Sequence, residues 1–456
     1  MKRSIFRSSG RTVSSHWCAR IALGCCLLNW IQAAETNSAV EILLPETVSR
    51  WADVMAAHHP SLKAAHARAQ AAQRNADGVR RVADPRFMIG GAVYSAKGMN
   101  PSEEGNLIYG VEQPLPLLGK ETAARALARA EADTEAVRAD ARFQELRRDL
   151  AISLFQAAFA RRAVELAEAD QNWLRETVRT MEGRLGAGAG SSVEVLRAQT
   201  EQARRQVEVA TLRAQEGEAR STVNRRLGRD PLAPLPDFEL PALAEPVEYN
   251  ERLVRLALEA EPRRRVLASQ RDAAGALVEA TRRSQRPNLS VGVDGRQYGG
   301  DGEFREGTFF LSVSLPLWNR GKFRQDLARD RDRLRAAEEE HADSALQVRE
   351  EIHHLTLRLA TARQEALLYQ DEVLPRAESA LRAAQAQWSA GQGSLREVLD
   401  AQRMVLEARL QFARAVGEQW STLSELVLCC GLGDLEALEM VRPAPGRTLT
   451  PIPSQP

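Results

Sequence analysis

Aromatic residues are scarce in this chain: Phe, Trp and Tyr make up 5% of its 456 residues, whereas charged residues make up 27%. Ala, Arg, Glu, Leu and Gln dominate the stretches between turns. Such a composition is typical of long, largely solvated helices and argues against thick-cored globular domains. The formal net charge of +1 provides no global basic field that would attract nucleic acid or acidic lipid.

Cysteines and long apolar runs are also scarce. Only Cys429 and Cys430 follow residue 34, and two adjacent cysteines do not form a disulfide framework. Residues 1–34 combine arginines, an apolar run and small residues, which predicts a secretory signal peptide; acylation at Cys25 remains an alternative. No later run has the 18 or more apolar residues of a membrane-spanning helix. The sequence therefore predicts an exported protein that is either soluble or an outer-membrane β-barrel.

One stretch occurs twice. Residues 187–199 (AGAGSSVEVLRAQ) recur as residues 390–402 (AGQGSLREVLDAQ), with nine of thirteen positions identical. Glycine permits backbone angles that end a helix, and serine can cap the next one. The residues with these roles are Gly188, Gly190, Gly391, Gly393, Ser191 and Ser394. Each copy is therefore predicted to be the bend of a helical hairpin within an internal repeat.

The rest of each repeat follows the same plan. Apolar periodicity predicts, in the first repeat (35–229), a helix over 46–83 interrupted at Pro60, strands over 86–95 and 106–115, and a hairpin with its bend at 185–191. In the second repeat (250–433) it predicts a helix over 251–284, strands over 288–298 and 308–317, and a hairpin with its bend at 388–394. A proline-rich linker (230–249) joins the repeats, and a proline-rich tail (434–456) is predicted to be disordered.

Helix lengths suggest how these parts stack. The descending helix of the first repeat, 119–184, would be on the order of 95 Å long, and the return helix roughly 55 Å. The return helix and the opening helix of the second repeat together come to roughly 105 Å. We therefore expect these two helices, joined by the linker, to lie end to end beside the long one.

The predicted fold is mainly α with a small β part. Four strands of bilayer length cannot close a barrel, and open strand edges are excluded in lipid. Three copies would pool twelve strands, an even number within the range of bacterial barrels. The sequence thus predicts a trimeric β-barrel that continues as a tube of long helical hairpins, an α-barrel.

At this point the chain resembles the outer membrane efflux proteins, the TolC-like outer membrane factors, over about residues 46–433. The resemblance rests on the duplicated plan, on the motifs QPLPLLGK (113–120) and LPLWNRGK (315–322), and on the paired bends. It implies a homotrimeric conduit with a twelve-stranded outer-membrane barrel and a long periplasmic α-barrel. Its partners would be a periplasmic adaptor (membrane fusion) protein and an inner-membrane pump of the RND type. The Gly119-Lys120 form of the motif is similar to the CzcC- and CusC-like subgroup, which implies heavy-metal efflux.

The resemblance also implies functional residues at the bends. An adaptor-contact tip would consist of Leu185, Gly186, Ala187, Gly188, Ser191, Trp388, Ala390, Gly391 and Ser394. An acidic pore constriction would fall on Glu397 and Asp400, with Glu194 as the first-bend counterpart. Three copies would form acidic rings, which favour cations. Carboxylates near helix starts are, however, also favoured by the helix dipole alone.

Other functions are less well supported. We find no phosphate-binding loop, zinc-ligand spacing or nucleophile elbow, so we expect neither an enzyme nor a cofactor or metal site. A conduit for drugs, small molecules or type I secretion remains the main alternative to metal efflux. A secreted periplasmic coiled-coil scaffold is more remote, because it does not explain four strands in matched places.

Overall fold

The computed structural model describes residues 40–80, 82–92, 106–188, 190–298, 303–315 and 318–432. The predicted signal peptide, residues 93–95 of a predicted strand, most of the two loops that connect the strands, and the predicted tail lie outside these residues. Within the described ranges, no helix is long and apolar enough to cross a membrane.

The described elements alternate between long helices and short groups of strands. The helices are α1 (Pro45–His58), α2 (Pro60–Gly78), α3 (Lys120–Gly186), α4 (Ser192–Leu227), α5 (Glu251–Ala260), α6 (Pro262–Ser284), α7 (Arg320–Leu368), α8 (Leu374–Ser389) and α9 (Leu395–Cys429). The strands are β1 (Val40–Ile42), β2 (Arg86–Ala92), β3 (Asn106–Leu115), β4 (Asp237–Glu239), β5 (Asn288–Tyr298) and β6 (Phe304–Ser314). A π-helical turn, Tyr369–Val373, joins α7 to α8.

Prolines divide the helix that opens each repeat. Pro60 starts α2 and Pro262 starts α6, each at the first helical position, where its missing N–H costs nothing. The preceding residues, His59 and Glu261, have extended ψ angles of 119° and 124°, because proline disfavours the helical region for its predecessor. The helix expected to be continuous over 251–284 is therefore two helices, α5 and α6. The junction between them is of the same kind as the junction between α1 and α2.

Four strands form an antiparallel sheet in the order β2–β3–β5–β6. The sheet leaves β2 and β6 as its two edges. The structure starts β6 at Phe304, four residues before the expected strand, and a bulge at Arg296 and Gln297 adjusts the pairing there. The loop expected between these strands is correspondingly shorter.

The two faces of this sheet differ in polarity. On one face Val111 lies opposite Val293, which lies opposite Phe309, and half or more of the last two side chains is exposed. On the other face, the Ser290 hydroxyl donates to the Glu112 carboxylate, and Arg296 pairs with Glu306 at 2.7 Å. One apolar and one polar face is the pattern of a strand wall between lipid and water. The alternation predicted from the sequence therefore corresponds to the two faces of the sheet.

The helices form stacked columns, but not in the expected combination. At the end of α4, Gly228 (φ +73°) lies so close to the start of α2 that a Cβ there would be 2.9 Å from the His59 Cα atom. At the end of α9, Gly431 (φ +60°) lies even closer to Ala260. Thus α4 continues into α2, and α9 into α6, rather than α4 into the helices that follow the linker. Both columns pack against the single long helix α3.

The packing order defines two free sides of the helical layer. Helices α2 and α4 pack on α3, α3 packs on α6 and α9, and these pack on α7 and α8. The free sides are therefore the α2/α4 column and the α7/α8 column. Because β2 follows α2 and β6 precedes α7, the free sides of the helical layer coincide with the edges of the sheet.

The expected linker is an ordered belt at mid-height. Its strand β4 pairs in parallel with β1, and Phe238 within it is 2% exposed. The side-chain amide of Gln419 in α9 holds the belt through both backbone groups of Ala244: its Oε1 accepts from the N–H at 2.9 Å, and its Nε2 donates to the carbonyl at 2.8 Å. These two hydrogen bonds therefore attach the belt, which connects the two repeats, to α9.

The π-helical turn takes up one extra residue of the second repeat. Ala160-Arg161 recurs 202 positions later as Ala362-Arg363, whereas Ala187-Gly188 recurs 203 positions later as Ala390-Gly391. The additional residue falls between these matches, where Tyr369–Val373 adopts the wider turn. The expected single helix over 323–388 is therefore α7 and α8, joined without loss of direction.

The junction between α4 and α2 should not tolerate a side chain. Gly228→Ala places a Cβ at positive φ and against the backbone of His59, which cannot move as a flexible side chain would. We expect a loss of about 1–3 kcal/mol in the free energy of unfolding, measured by thermal and denaturant unfolding of the purified protein in detergent. The control is Gly275→Ala in α6, where a Cβ meets nothing within 4 Å; it should gain about 0.5–1 kcal/mol. Equal effects of the two variants would contradict this role of Gly228.

Candidate functional site: the two helical bends

Two glycines in each bend have different tasks. Gly188 and Gly391 have φ angles of +73° and +76°, and each N–H donates to the carbonyl three residues before it at 3.0 Å. At Gly190, a Cβ would approach the Leu185 nitrogen to 2.7 Å, and Gly393 is similarly close to its preceding helix. In each bend, the first glycine supplies the left-handed angle that ends the helix, and the second permits close approach of the chain.

The serines that follow differ in their hydrogen bonds. Ser394 forms a capping box: its Oγ accepts from the Glu397 N–H at 3.4 Å, and the Glu397 carboxylate accepts from the Ser394 N–H at 3.2 Å. Ser191 precedes α4 with an extended backbone but makes no side-chain cap. The predicted capping is therefore correct for Ser394 and wrong for Ser191.

The predicted tip residues lie together at the ends of the two hairpins. Leu185, Gly186, Ala187, Gly188 and Ser191 are exposed in the first bend, as are Ala390, Gly391 and Ser394 in the second. Trp388 is half-buried, and the guanidinium of Arg184 lies 4.9 Å from the centre of its ring. This cation–π contact joins the two bends, and Arg184 was not among the residues that the sequence singled out.

The predicted acidic residues are less free than a simple acidic ring requires. Glu397 is exposed but its carboxylate belongs to the capping box. Asp400 lies between two arginines of the same helix, at 3.6 Å from Arg396 and 3.2 Å from Arg403. Glu194 is half-buried in the first turn of α4. Whether these carboxylates face a pore stays a prediction, but the two arginines offset part of the charge of Asp400.

A polar network above the bends joins the two hairpins. Asp170 of α3 pairs with Arg205 of α4 at 2.7 Å and accepts from Gln402 of α9 at 2.7 Å. Arg403 of α9 donates through its Nε to Glu201 of α4 at 2.9 Å. Burial raises the pKa of Asp170, whereas the hydrogen bonds from Arg403 lower the pKa of Glu201. The network thus ties α3, α4 and α9 together just above the bends.

The described side chains do not assemble a metal centre. In the part of the chain that the structure covers, no group of three or more His, Cys, Asp or Glu residues could hold a metal ion. Cys429 and Cys430 are buried at the end of α9, and burial raises the pKa of Cys430 to about 12. A thiol that stays protonated at neutral pH is a poor metal ligand.

Comparisons with known proteins agree with this architecture. The model of the family described as "Outer membrane efflux protein" matches residues 51–229 and 253–432. The cobalt-zinc-cadmium resistance protein CzcC of Cupriavidus metallidurans is 26% identical over 323 residues, which cover 69% of this chain and 74% of that protein.

Solved structures share the fold. The outer-membrane channel OprN superposes with a TM-score of 0.73 at 20% identity, over 85% of this chain and 90% of that one. VceC of Vibrio cholerae gives 0.73 at 18% identity, over 85% and 97% of the chains. CusC gives 0.72 at 16% identity, over 86% and 93%. The predicted fold class is therefore confirmed.

The two bends should respond differently to loss of their serines. Ser394→Ala removes a capping box and should destabilise the start of α9 by about 1 kcal/mol, whereas Ser191→Ala removes no cap bond. Hydrogen exchange followed by mass spectrometry should show faster exchange in the first turn of α9 only in Ser394→Ala. Equal acceleration at the starts of α4 and α9 would contradict the difference between the bends.

The polar network predicts a pH-dependent contribution to stability. Because Arg403 lowers the pKa of Glu201 below its ordinary value of 4.5, the stabilisation is present above pH 4.5 and is lost as the pH falls through the lowered pKa. Arg403→Met should therefore cost about 1 kcal/mol at pH 7, since Arg403 is half exposed and solvent screens the pair. The difference in melting temperature from the wild type should shrink with acidification. Arg414→Met, at an exposed position further along α9, is the control; a pH-independent difference would contradict the assignment.

Proposed function

Because the chain belongs to the outer membrane efflux protein family, we propose that it is the outer-membrane component of a tripartite system that exports heavy-metal cations. It is an efflux channel of the outer membrane with a long periplasmic helical extension. The match to a cobalt-zinc-cadmium resistance protein carries the proposal of the substrate. The motif Gly119-Lys120 supports the same subgroup.

The working assembly in this proposal is a ring of three copies. Each copy contributes four strands with unpaired edges at β2 and β6, and open edges are not tolerated in lipid. Three copies close a twelve-stranded barrel. The free sides of the helical layer, the α2/α4 column and the α7/α8 column, coincide with these two sheet edges. One arrangement of three copies would therefore close the sheet and the helical layer together.

The exposed bends would receive the periplasmic adaptor, which connects the channel to an inner-membrane pump of the RND type. Their small residues, Ala187, Gly188, Ala390 and Gly391, leave the backbone open to a partner helix. Small side chains at a contact allow two helix axes to approach more closely. The predicted tip, including Ser191 and Ser394, is the surface that we assign to the adaptor.

The same bends would form the pore constriction. Glu397, Asp400 and Glu194 would face the axis, where carboxylates favour cations. Because Asp400 is flanked by Arg396 and Arg403, the constriction would attract cations less strongly than three unpaired rings. Weak binding of this kind suits a conduit that must release what it passes.

Deletion of the gene should sensitise its host to zinc, cobalt and cadmium, and reintroduction of the wild-type chain should restore growth. Growth inhibition is measured for these metals beside copper, silver, dyes and detergents. Sensitivity to dyes and detergents alone would reject the metal substrate and favour a multidrug conduit. An unchanged profile would reject both.

The tip is tested in the same strain. Ala187→Trp combined with Ala390→Trp adds bulk at negative φ angles, so that the bends themselves are not strained. This double variant should not restore growth, although it should reach the outer membrane as an assembled channel. Asp53→Trp, on the exposed face of α1, is the control and should restore growth. Full complementation by the double variant would contradict the assignment of the tip.

A further inference from the structure

The junction between the sheet and the helices carries a local excess of positive charge. Residues 282–286 and 318–326 contain six Arg or Lys side chains and one carboxylate, whereas the whole chain has a formal net charge of +1. That carboxylate, Asp326, is paired with Arg329 at 3.0 Å. Six exposed side chains of these two segments are called the collar: Arg282, Arg286, Trp318, Arg320, Lys322 and Arg324.

Two hydrogen bonds bring the segments of the collar together. The side-chain amide of Gln285 in α6 donates to the Phe323 carbonyl in α7 at 3.2 Å. The Nη1 of Arg286 donates to the Leu118 carbonyl, two residues before α3, at 2.7 Å. The end of α6 and the starts of α3 and α7 therefore meet at the end of the sheet from which the helices leave.

The helix dipole does not account for the cations of α7. It favours cations at the end of a helix, as at Arg282 in the last turn of α6, and disfavours them at the start. Yet Arg320 and Lys322 lie in the first turn of α7, which has no acidic residue. Among the residues that the structure describes, none forms a salt bridge with Arg320, Lys322 or Arg324. Their charge therefore calls for an anion from outside these residues.

The collar lies where the lipid-facing wall of the sheet ends. The chain is an outer-membrane channel with a long periplasmic helical extension, so this end of the sheet is at the periplasmic leaflet. The apolar face of β6 continues through Val313 and Leu315, which are half exposed, and Trp318 three residues further is 91% exposed. Tryptophan is enriched at the boundary between membrane and water, because its ring is apolar and its N–H is polar. The cations beyond Trp318 are therefore at the level of the lipid headgroups.

We propose that the collar binds anionic phospholipid headgroups of the periplasmic leaflet. Trp318 lies at the boundary of the hydrocarbon, and the cations of α6 and α7 bind the phosphates. A guanidinium presents two parallel N–H groups to phosphate oxygens. A zwitterionic headgroup carries its own ammonium group, which offsets the phosphate charge, so the collar prefers lipids with a net negative charge. This binding does not depend on the substrate that the channel passes.

Lipid retention tests the charge of the collar. The wild-type channel, freed of lipid in a neutral detergent, is titrated with phosphatidylglycerol or with phosphatidylethanolamine of the same acyl chains, and bound lipids are counted by native mass spectrometry. Phosphatidylglycerol should be retained more strongly. Arg320→Gln combined with Lys322→Gln and Arg324→Gln should weaken its binding roughly tenfold, because each cation near an anionic surface strengthens binding about fivefold. Binding of phosphatidylethanolamine should not change.

The same helix offers a matched control. Arg331→Gln combined with Arg333→Gln and Arg335→Gln removes three exposed cations at the same spacing. Eleven residues further along a helix is close to three full turns, so these side chains lie on nearly the same face but roughly 16 Å further from the sheet. This variant should retain phosphatidylglycerol like the wild type. Equal loss in both triple variants, or no loss in the collar variant, would overturn the proposal.

The position of Trp318 is tested without removing any charge. The channel is reconstituted in vesicles of phosphatidylethanolamine with a minor share of phosphatidylglycerol, and the phosphatidylglycerol carries bromine either near the headgroup or near the chain ends. The difference in fluorescence between the wild type and Trp318→Phe isolates this residue. The other tryptophans after residue 34 pack in clusters of the helical layer: Trp51, Trp173, Trp388 and Trp420. Bromine near the headgroup should quench Trp318 more strongly; no quenching from either position would overturn the proposal.

The size of the variants separates lipid binding from assembly. Light scattering in detergent should find the wild-type size for both triple variants. If the collar variant falls apart while each chain retains phosphatidylglycerol like the wild type, the cations serve a contact between copies and the proposal is wrong. If it loses both assembly and lipid, the quenching of Trp318 decides, because that measurement keeps all the cations in place.

Discussion

The contact between α3 and α9 is the constraint on which the rest of the structure depends. Helix α3 belongs to the first hairpin and α9 to the second, so that this seam joins the two repeats into one body. Phe155 stacks on Trp420, and Phe159 lies beside Gly417 of α9. Burial of these large apolar surfaces supplies the main stabilisation, since the polar network at Asp170 lies in the same interface and costs desolvation. The two bends lie side by side because of this contact.

Much of this architecture could be predicted from the sequence because duplicated, periodic patterns carry it. The bends follow from Gly188 and Gly391, and the strands follow from the change to a two-residue period. The pairing of β1 with β4 could not be predicted, because three-residue strands leave no period to detect. The hydrogen bond between Asp170 and Gln402 spans 232 residues, in a chain where charged and amide side chains are common. Local patterns cannot identify such a pair.

The two repeats differ at the bends, which carry the proposed adaptor contact and pore constriction. Both bends use the same glycine geometry, yet only Ser394 caps its helix, and Asp400 takes the place of Arg197. The π-helical turn adds one residue to the second hairpin alone. A closed ring would therefore present two kinds of bend in alternation. The second kind has the firmer helix start and two of the three predicted constriction carboxylates, Glu397 and Asp400, so the two kinds are not interchangeable for a partner or for an ion.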